Sequence, residues 1–380
     1  MQKADIDKMK KIAHEIIDSE VKKYNMKMDV FPVTFVEYCK DEIFNQKYSL
    51  QRKVNLVKYY RNYSGINIPS NSDIFVFLST INSHTLKKLG KNNGSNILQL
   101  VVTCFHEARH TAQIRFNKFS YEGFLRDLEN TIRAFLPEDY ESNHDKYSFE
   151  IGANLYGVAE AKKYLQKNYP EIYENNKNTL EWRESFYRYD YLTYDAVNTV
   201  DRFFDILKRK NVSPLSTRIM ALRLFFNEDE SLRKIEDIIY KMNNNPCYVH
   251  LDKKVVYVFM SSRYFLQNTN ISELSIQELD LLKESLEYTN QVYQNQEKVI
   301  EKAYNNKIIN KLKFLKNQKS LVEKLANIDK ITSEISESLS IRRRFDILET
   351  GRDEKKRKQH ISSVEENLEK VTNELSQRKR

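Results

Sequence analysis

A chain of 380 residues with 40% apolar and 30% charged side chains is long enough for two or three domains with sizeable cores. It contains no run of about 18 apolar residues, and its opening residues, MQKADIDKMKKIAHEII, carry no continuous apolar stretch, so a hydrophobic membrane span is excluded and a cytoplasmic protein without membrane contact is expected. The net charge of +9 is modest for this length, and three widely spaced cysteines indicate neither a disulfide framework nor a cysteine zinc site.

In chain order, residues 5 to 24 predict an amphipathic helix, with Ile6, Met9, Ile12, Ala13, Ile16 and Ile17 on one side. Phe31 to Tyr38, FPVTFVEY, predicts a strand; residues 49 to 62 predict a helix; Ile74 to Leu78 predicts a second, compact apolar strand. Gly94, Ser95 and Asn96 then precede ILQLVVTCFHEARHTAQIRFNKF, where Leu98, Val101, Phe105, Ala108, Ala112 and Phe116 recur at helical spacing. Cys104 reads as a small apolar core residue of this helix. Tyr121 to Leu136 predicts a further helix ended by Pro137, PEDYESNHDKY a polar loop, and Tyr147 to about Asn168 another helix.

The helix over 97 to 119 carries the pattern H-E-x-x-H at His106, Glu107 and His110. Residues four apart share a helix face, so two imidazoles can meet one ion while Glu107 lies beside them. Zinc held by neutral imidazoles lowers the pKa of a bound water towards ~7, and an adjacent carboxylate can take its proton. Downstream, Glu150 and Asn154 also share a face, and Ala153, Gly157 and Ala161 form a small-residue stripe that allows close approach of another helix.

With these two motifs the sequence resembles the gluzincin-type zincin metallopeptidases, roughly over residues 70 to 165. The resemblance implies Zn2+ as cofactor, His106, His110 and Glu150 as its ligands, and Glu107 as the catalytic general base. Where that family often has E-x-x-x-D, this chain has Asn154 as the residue that would support a ligand histidine by a hydrogen bond; an amide can orient an imidazole but does not raise its basicity as a carboxylate does. The resemblance also implies an oxyanion donor beyond the third ligand, for which Tyr187, Tyr189, Tyr191 and Tyr194 in FYRYDYLTY all qualify. Ile74 to Leu78 stands where zincins place the edge strand that holds an extended peptide, and equally fits a plain core strand. His144, in the polar loop, is a rival ligand or a solvated side chain.

Behind this region the composition changes: six of the seven glycines lie between Gly65 and Gly157, and the last proline is Pro246. The pattern predicts helices over 190 to 209, 214 to 227, 230 to 243 and 253 to 267. From Ser272 onward, Leu279, Leu282, Leu286, Val299, Ile308, Leu312 and Leu315 among dense charges predict long helices forming a coiled coil or hairpin. Residues after about 345 have few apolar anchors and predict a loose helix or disorder.

The expected fold is therefore α+β: a small zincin-like metallopeptidase domain over 1–170, a helical domain over 171–270, and long, charged, coiled-coil-like helices with a basic tail over 271–380. The expected function is hydrolysis of peptide bonds in a peptide or protein substrate. The alternative is a helical interaction or nucleic-acid-binding protein with an inactive zincin core, motivated by Arg342, Arg343, Arg344, Lys355, Lys356, Arg357, Lys358, Arg378, Lys379 and Arg380.

Overall fold

A computed structural model of the chain describes residues 3–24, 33–36, 65–68, 73–77, 81, 95–137, 146–321 and 352–379. Most of these residues are helical, and the strands form one small sheet. Two compact units result: Met1–Phe116 with Asp145–Tyr191, and Asn117–His144 with Leu192–Arg380. This partition differs from the three consecutive blocks expected from composition. The helix that follows the H-E-x-x-H helix packs with later segments, so the first unit is interrupted in sequence. Among the described residues, no helix is long and apolar enough to cross a membrane. The predicted helix over 49 to 62 lies outside the described residues.

In the first unit, α1 (Lys3–Lys23) buries Met9, Ile12, Ala13, Ile16 and Ile17, the face its periodicity predicts. That face packs on α2 (Ser95–Ile114), which contributes Leu98, Leu100, Val101, Cys104, Phe105 and Ala108 to the same core. Each such fully buried large apolar side chain stabilises the fold by about 1.5–3 kcal/mol relative to exposure. α2 is shorter than the 97 to 119 prediction. Arg115 and Phe116 donate their N–H groups three residues back, to Ala112 and Gln113, which tightens and closes the last turn.

The sheet has the order β1 (Val33–Val36), β3 (Asp73–Phe77), β2 (Gly65–Ile68). β1 runs parallel to β3, with Val33 opposite Ile74, and β2 runs antiparallel, with Gly65 opposite Val76. The strand predicted at Ile74 to Leu78 is thus central, and the expectation that it forms a substrate-binding edge is corrected. A run such as IFVF, with Ile74, Val76 and Phe77 fully buried, is stabilised by neighbours on both sides. The strand beside α2 is β2, whose sequence GINI is short and begins with glycine, a weak strand signal.

α4 (Ser148–Asn168) lies along α2 with Ala153, Gly157 and Ala161 buried, as the small-residue stripe predicts. A Cβ on Gly157 would stand 3.0 Å from the Val102 carbonyl oxygen and 3.2 Å from the His106 Cβ. α5 (Pro170–Leu192), not predicted as a helix, adds Tyr173 and Leu180 to the core.

In the second unit, α3 (Tyr121–Phe135) starts at Ser120, whose hydroxyl accepts the Gly123 N–H, and packs on α6 (Ala196–Lys210). The helix predicted over 190 to 209 is broken at its start because Asp195 caps α6 by accepting the Asn198 N–H. The helix predicted over 214 to 227 is instead a 3-10 turn, Pro214–Thr217, and a single helical turn, α7 (Leu222–Phe225). Left-handed Arg218 (φ 61°) separates them. Phe226 bridges to Leu232, and the Arg233 guanidinium donates to the carbonyls of Leu224 and Phe226, so α8 begins only at Ile235 (Ile235–Asn244). The predicted 253 to 267 helix divides into α9 (Lys253–Met260) and α10 (Arg263–Gln267), since the buried Ser262 hydroxyl accepts the Phe265 N–H and restarts the helix. Stacked rings, Phe225 on Phe259 at 3.8 Å and Phe204 on Tyr264 at 4.0 Å, fill this core.

α11 (Ile276–Leu321) and α12 (Arg352–Arg378) pack along each other. Lys379 pairs with Asp280, whereas Arg357 pairs with Glu297, so the two helices run antiparallel. The expectation of a loose or disordered end after 345 is corrected for these residues: Val364, Val371 and Leu375 are buried, few in number but spaced to one face.

Candidate metal centre

α2 and α4 bring the three predicted ligands together. The Nε2 atoms of His106 and His110 stand 2.9 Å apart, and Glu150 Oε2 lies 3.4 Å from each. Three atoms at these separations lie on a circle of radius about 1.9 Å, so one ion at the ~2.0–2.2 Å typical of zinc to nitrogen and carboxylate oxygen reaches all of them. Two imidazoles and one carboxylate form a donor set that zinc accepts. The residues present therefore fit the ion.

The close approach depends on Gly157, which lets α4 lie against the backbone of α2 at His106. Glu150 begins α4, in the first turn, where the helix N-terminus favours a carboxylate. Glu150 and Glu107 are both buried. Burial, the largest single influence on His110, disfavours its charged form. The charge and hydrogen bond of Glu150, the charge of Glu107 and the hydrogen bond with Gln113 outweigh it and raise the pKa to about 8.

A residue absent from the sequence prediction sets the orientation of His110. His110 Nδ1 is 2.8 Å from Gln113 Oε1, and Gln113 Nε2 donates to the Phe149 carbonyl at 2.8 Å. A carbonyl only accepts, so the amide must present its Nε2 to Phe149 and its Oε1 to the imidazole. In neutral His110 the proton then sits on Nδ1 and the lone pair on Nε2, facing Glu150 and His106. This is the support expected of Asn154. Asn154 itself is half-buried on α4, and its side chain makes no hydrogen bond among the described residues. The correction has a local cause, since residues three apart on one helix face are already neighbours. The H-x-x-Q spacing of His110 and Gln113 was the available signal.

The Glu107 carboxylate lies within 4.8 Å of both imidazole ligand atoms. Distance alone would admit either carboxylate as a ligand. Glu150 touches the imidazole pair symmetrically, whereas Glu107 turns towards β2, where a Cβ on Gly65 would stand 3.0 Å from Glu107 Oε1 and 2.6 Å from Thr103 Cγ2. Glu107 therefore borders the space beside β2.

No protein-family model, curated protein or solved structure matches this chain.

The tyrosines divide between the units. Tyr187, Tyr189 and Tyr191 lie on α5 in the first unit; Tyr187 packs partly buried against the core, and Tyr191 is 55% exposed. Tyr194 belongs to the second unit, where its hydroxyl bonds Glu129 at 2.6 Å and Thr199 at 2.8 Å and is held protonated by burial. His144 lies outside the described residues. Cys104 is fully buried in the core, and burial pushes its thiol pKa up, so it is an inert core side chain.

Proposed function

We propose that this protein is a zinc-dependent metallopeptidase with a zincin-like site in its first unit. The observation that carries the reading is the convergence of His106, His110 and Glu150 on one point, from two helices, with Glu107 beside it. A zinc ion held by His106, His110 and Glu150 would supply an activated water and a Lewis acid for a peptide carbonyl. Glu107 accepts the proton of the attacking water and delivers it to the leaving amine. Gln113 holds His110 in the tautomer that directs Nε2 inward, and Gly65 leaves room between β2 and the Glu107 carboxylate. Tyr187, Tyr189 and Tyr191 remain the candidate oxyanion donors carried by the same unit.

The basic C-terminal segment lends less support to the alternative of a nucleic-acid-binding protein. Of its described cations, Arg357 pairs with Glu297 and Lys379 with Asp280, while Arg378 engages Glu374 and the carbonyls of Ser272 and Leu274.

Elemental analysis of the purified protein tests the site: one zinc per chain, lost in His110→Ala, is expected. Glu107→Gln is expected to keep the zinc and lower peptide hydrolysis by at least about a hundredfold. Full zinc content in His110→Ala would reject the ligand set, and undiminished hydrolysis by Glu107→Gln would reject the assigned base.

A further inference from the structure

α5 places a second charged group on the face of α2 that carries the metal ligands. Gln99, Thr103, His106 and His110 are spaced by four, three and four residues and so form one continuous stripe along α2. At the N-terminal end of that stripe the Arg183 guanidinium, half-buried, reaches across from α5 and donates to Gln99 Oε1 at 3.4 Å. That long bond is its one hydrogen bond, and no carboxylate lies within ion-pair distance of it among the described residues. The adjacent acid in sequence, Glu184, is already bonded to Lys162 at 2.7 Å and Arg188 at 2.9 Å, which holds its pKa below the usual carboxylate range. A guanidinium taken partly out of water, with four of its five N–H donors unbonded among the described residues, suits a planar anion.

We infer that Arg183 binds a carboxylate of the peptide substrate, which deepens and rests on the metallopeptidase reading. The seven residues from Gln99 to His106 span about 10 Å of helix axis at 1.5 Å per residue. An extended peptide covers that distance in about three residues. The carboxylate therefore belongs to an acidic side chain, or to the peptide C-terminus, about three residues from the bond that is cut. Arg183 is a specificity-determining residue, distinct from the groups that perform the hydrolysis.

The test is binding, measured in the zinc-loaded Glu107→Gln protein so that no turnover intervenes. Fluorescence anisotropy compares three labelled peptides that share one sequence: all-neutral with an amidated C-terminus, the same with Glu at one of the second to fourth positions, and the neutral peptide with a free C-terminal carboxylate. One of the two anionic peptides is expected to bind about tenfold more tightly than the neutral one, and which one does so identifies the source of the carboxylate. Adding Arg183→Gln is expected to remove that preference, so that the anionic and neutral peptides bind alike. Equal binding of all three peptides with zinc present, or a preference that survives Arg183→Gln, overturns the carboxylate site and leaves the metallopeptidase reading standing. Absence of zinc from the protein overturns that reading, and the substrate assignment falls with it.

Discussion

At the level of single residues, the candidate centre depends on which proton each ring nitrogen carries. Gln113 decides this for His110, because the Phe149 carbonyl leaves the amide only one orientation. Gln113→Leu removes the acceptor while keeping side-chain bulk, and zinc affinity measured by chelator competition is expected to fall about 10–100-fold with the helical circular dichroism unchanged. The candidate histidines and Glu107 were legible in the sequence, since His106, Glu107 and His110 are related by helix geometry alone. The roles of Gln113 and Gly65 were not. Each depends on what faces the residue from another element: the Phe149 carbonyl at the start of α4 in one case, Thr103 and Glu107 on α2 in the other.

At the level of elements, the spacing between α2 and α4 sets the position of Glu150. Gly157→Ala gains about 1 kcal/mol in helix propensity, but the new Cβ meets the Val102 carbonyl oxygen at 3.0 Å and the backbone nitrogen of His106 at 3.2 Å. Helix backbone yields little locally, so α4 is expected to shift outward and zinc affinity to fall by about tenfold; unchanged affinity would mean that the two helices have slack. In the second unit, α12 is held on its neighbours partly by His360, whose Nδ1 lies 3.4 Å from Asp195 Oδ2 and whose Nε2 lies 4.0 Å from Asp201 Oδ2. The bond to Asp195 raises the His360 pKa, against an opposing effect of burial and of Arg263. A raised folded-state pKa contributes stability that is complete below the ordinary imidazole value and is lost as pH rises through the folded value. Burial raises the Asp201 pKa to about 6, and its contribution also falls with rising pH, over about 4 to 6. Amide exchange in α12 is thus expected to be faster at pH 8.5 than at pH 6 beyond the intrinsic pH effect, and His360→Gln is expected to remove the part of this difference that lies above pH 6.5.

At the level of the whole molecule, the chain divides by contact and not by position. Composition pointed to consecutive blocks ending at 170 and 270, whereas α3 and the residues around it join the second unit and α4 and α5 return to the first. Ligand linkage gives a local check on where the metal acts: zinc is expected to slow amide exchange in α2 and α4, and His106→Ala is expected to abolish the protection. Protection confined to α11 and α12 would place the ion elsewhere. By itself the sequence determined the features that depend on residues close together in the chain. These are the amphipathic faces of α1 and α2, the paired histidines one helical turn apart, the small-residue stripe of α4 and the helical character of the second half. Only the tertiary structure decided that β3 is central with β2 at one edge, that Gln113 and not Asn154 orients His110, that Arg183 reaches Gln99 from α5, and that α12 is a full helix on α11. Each of these follows from which surface meets which across long sequence separation, and that is settled by burial and hydrogen-bond satisfaction in the folded chain, not by local periodicity.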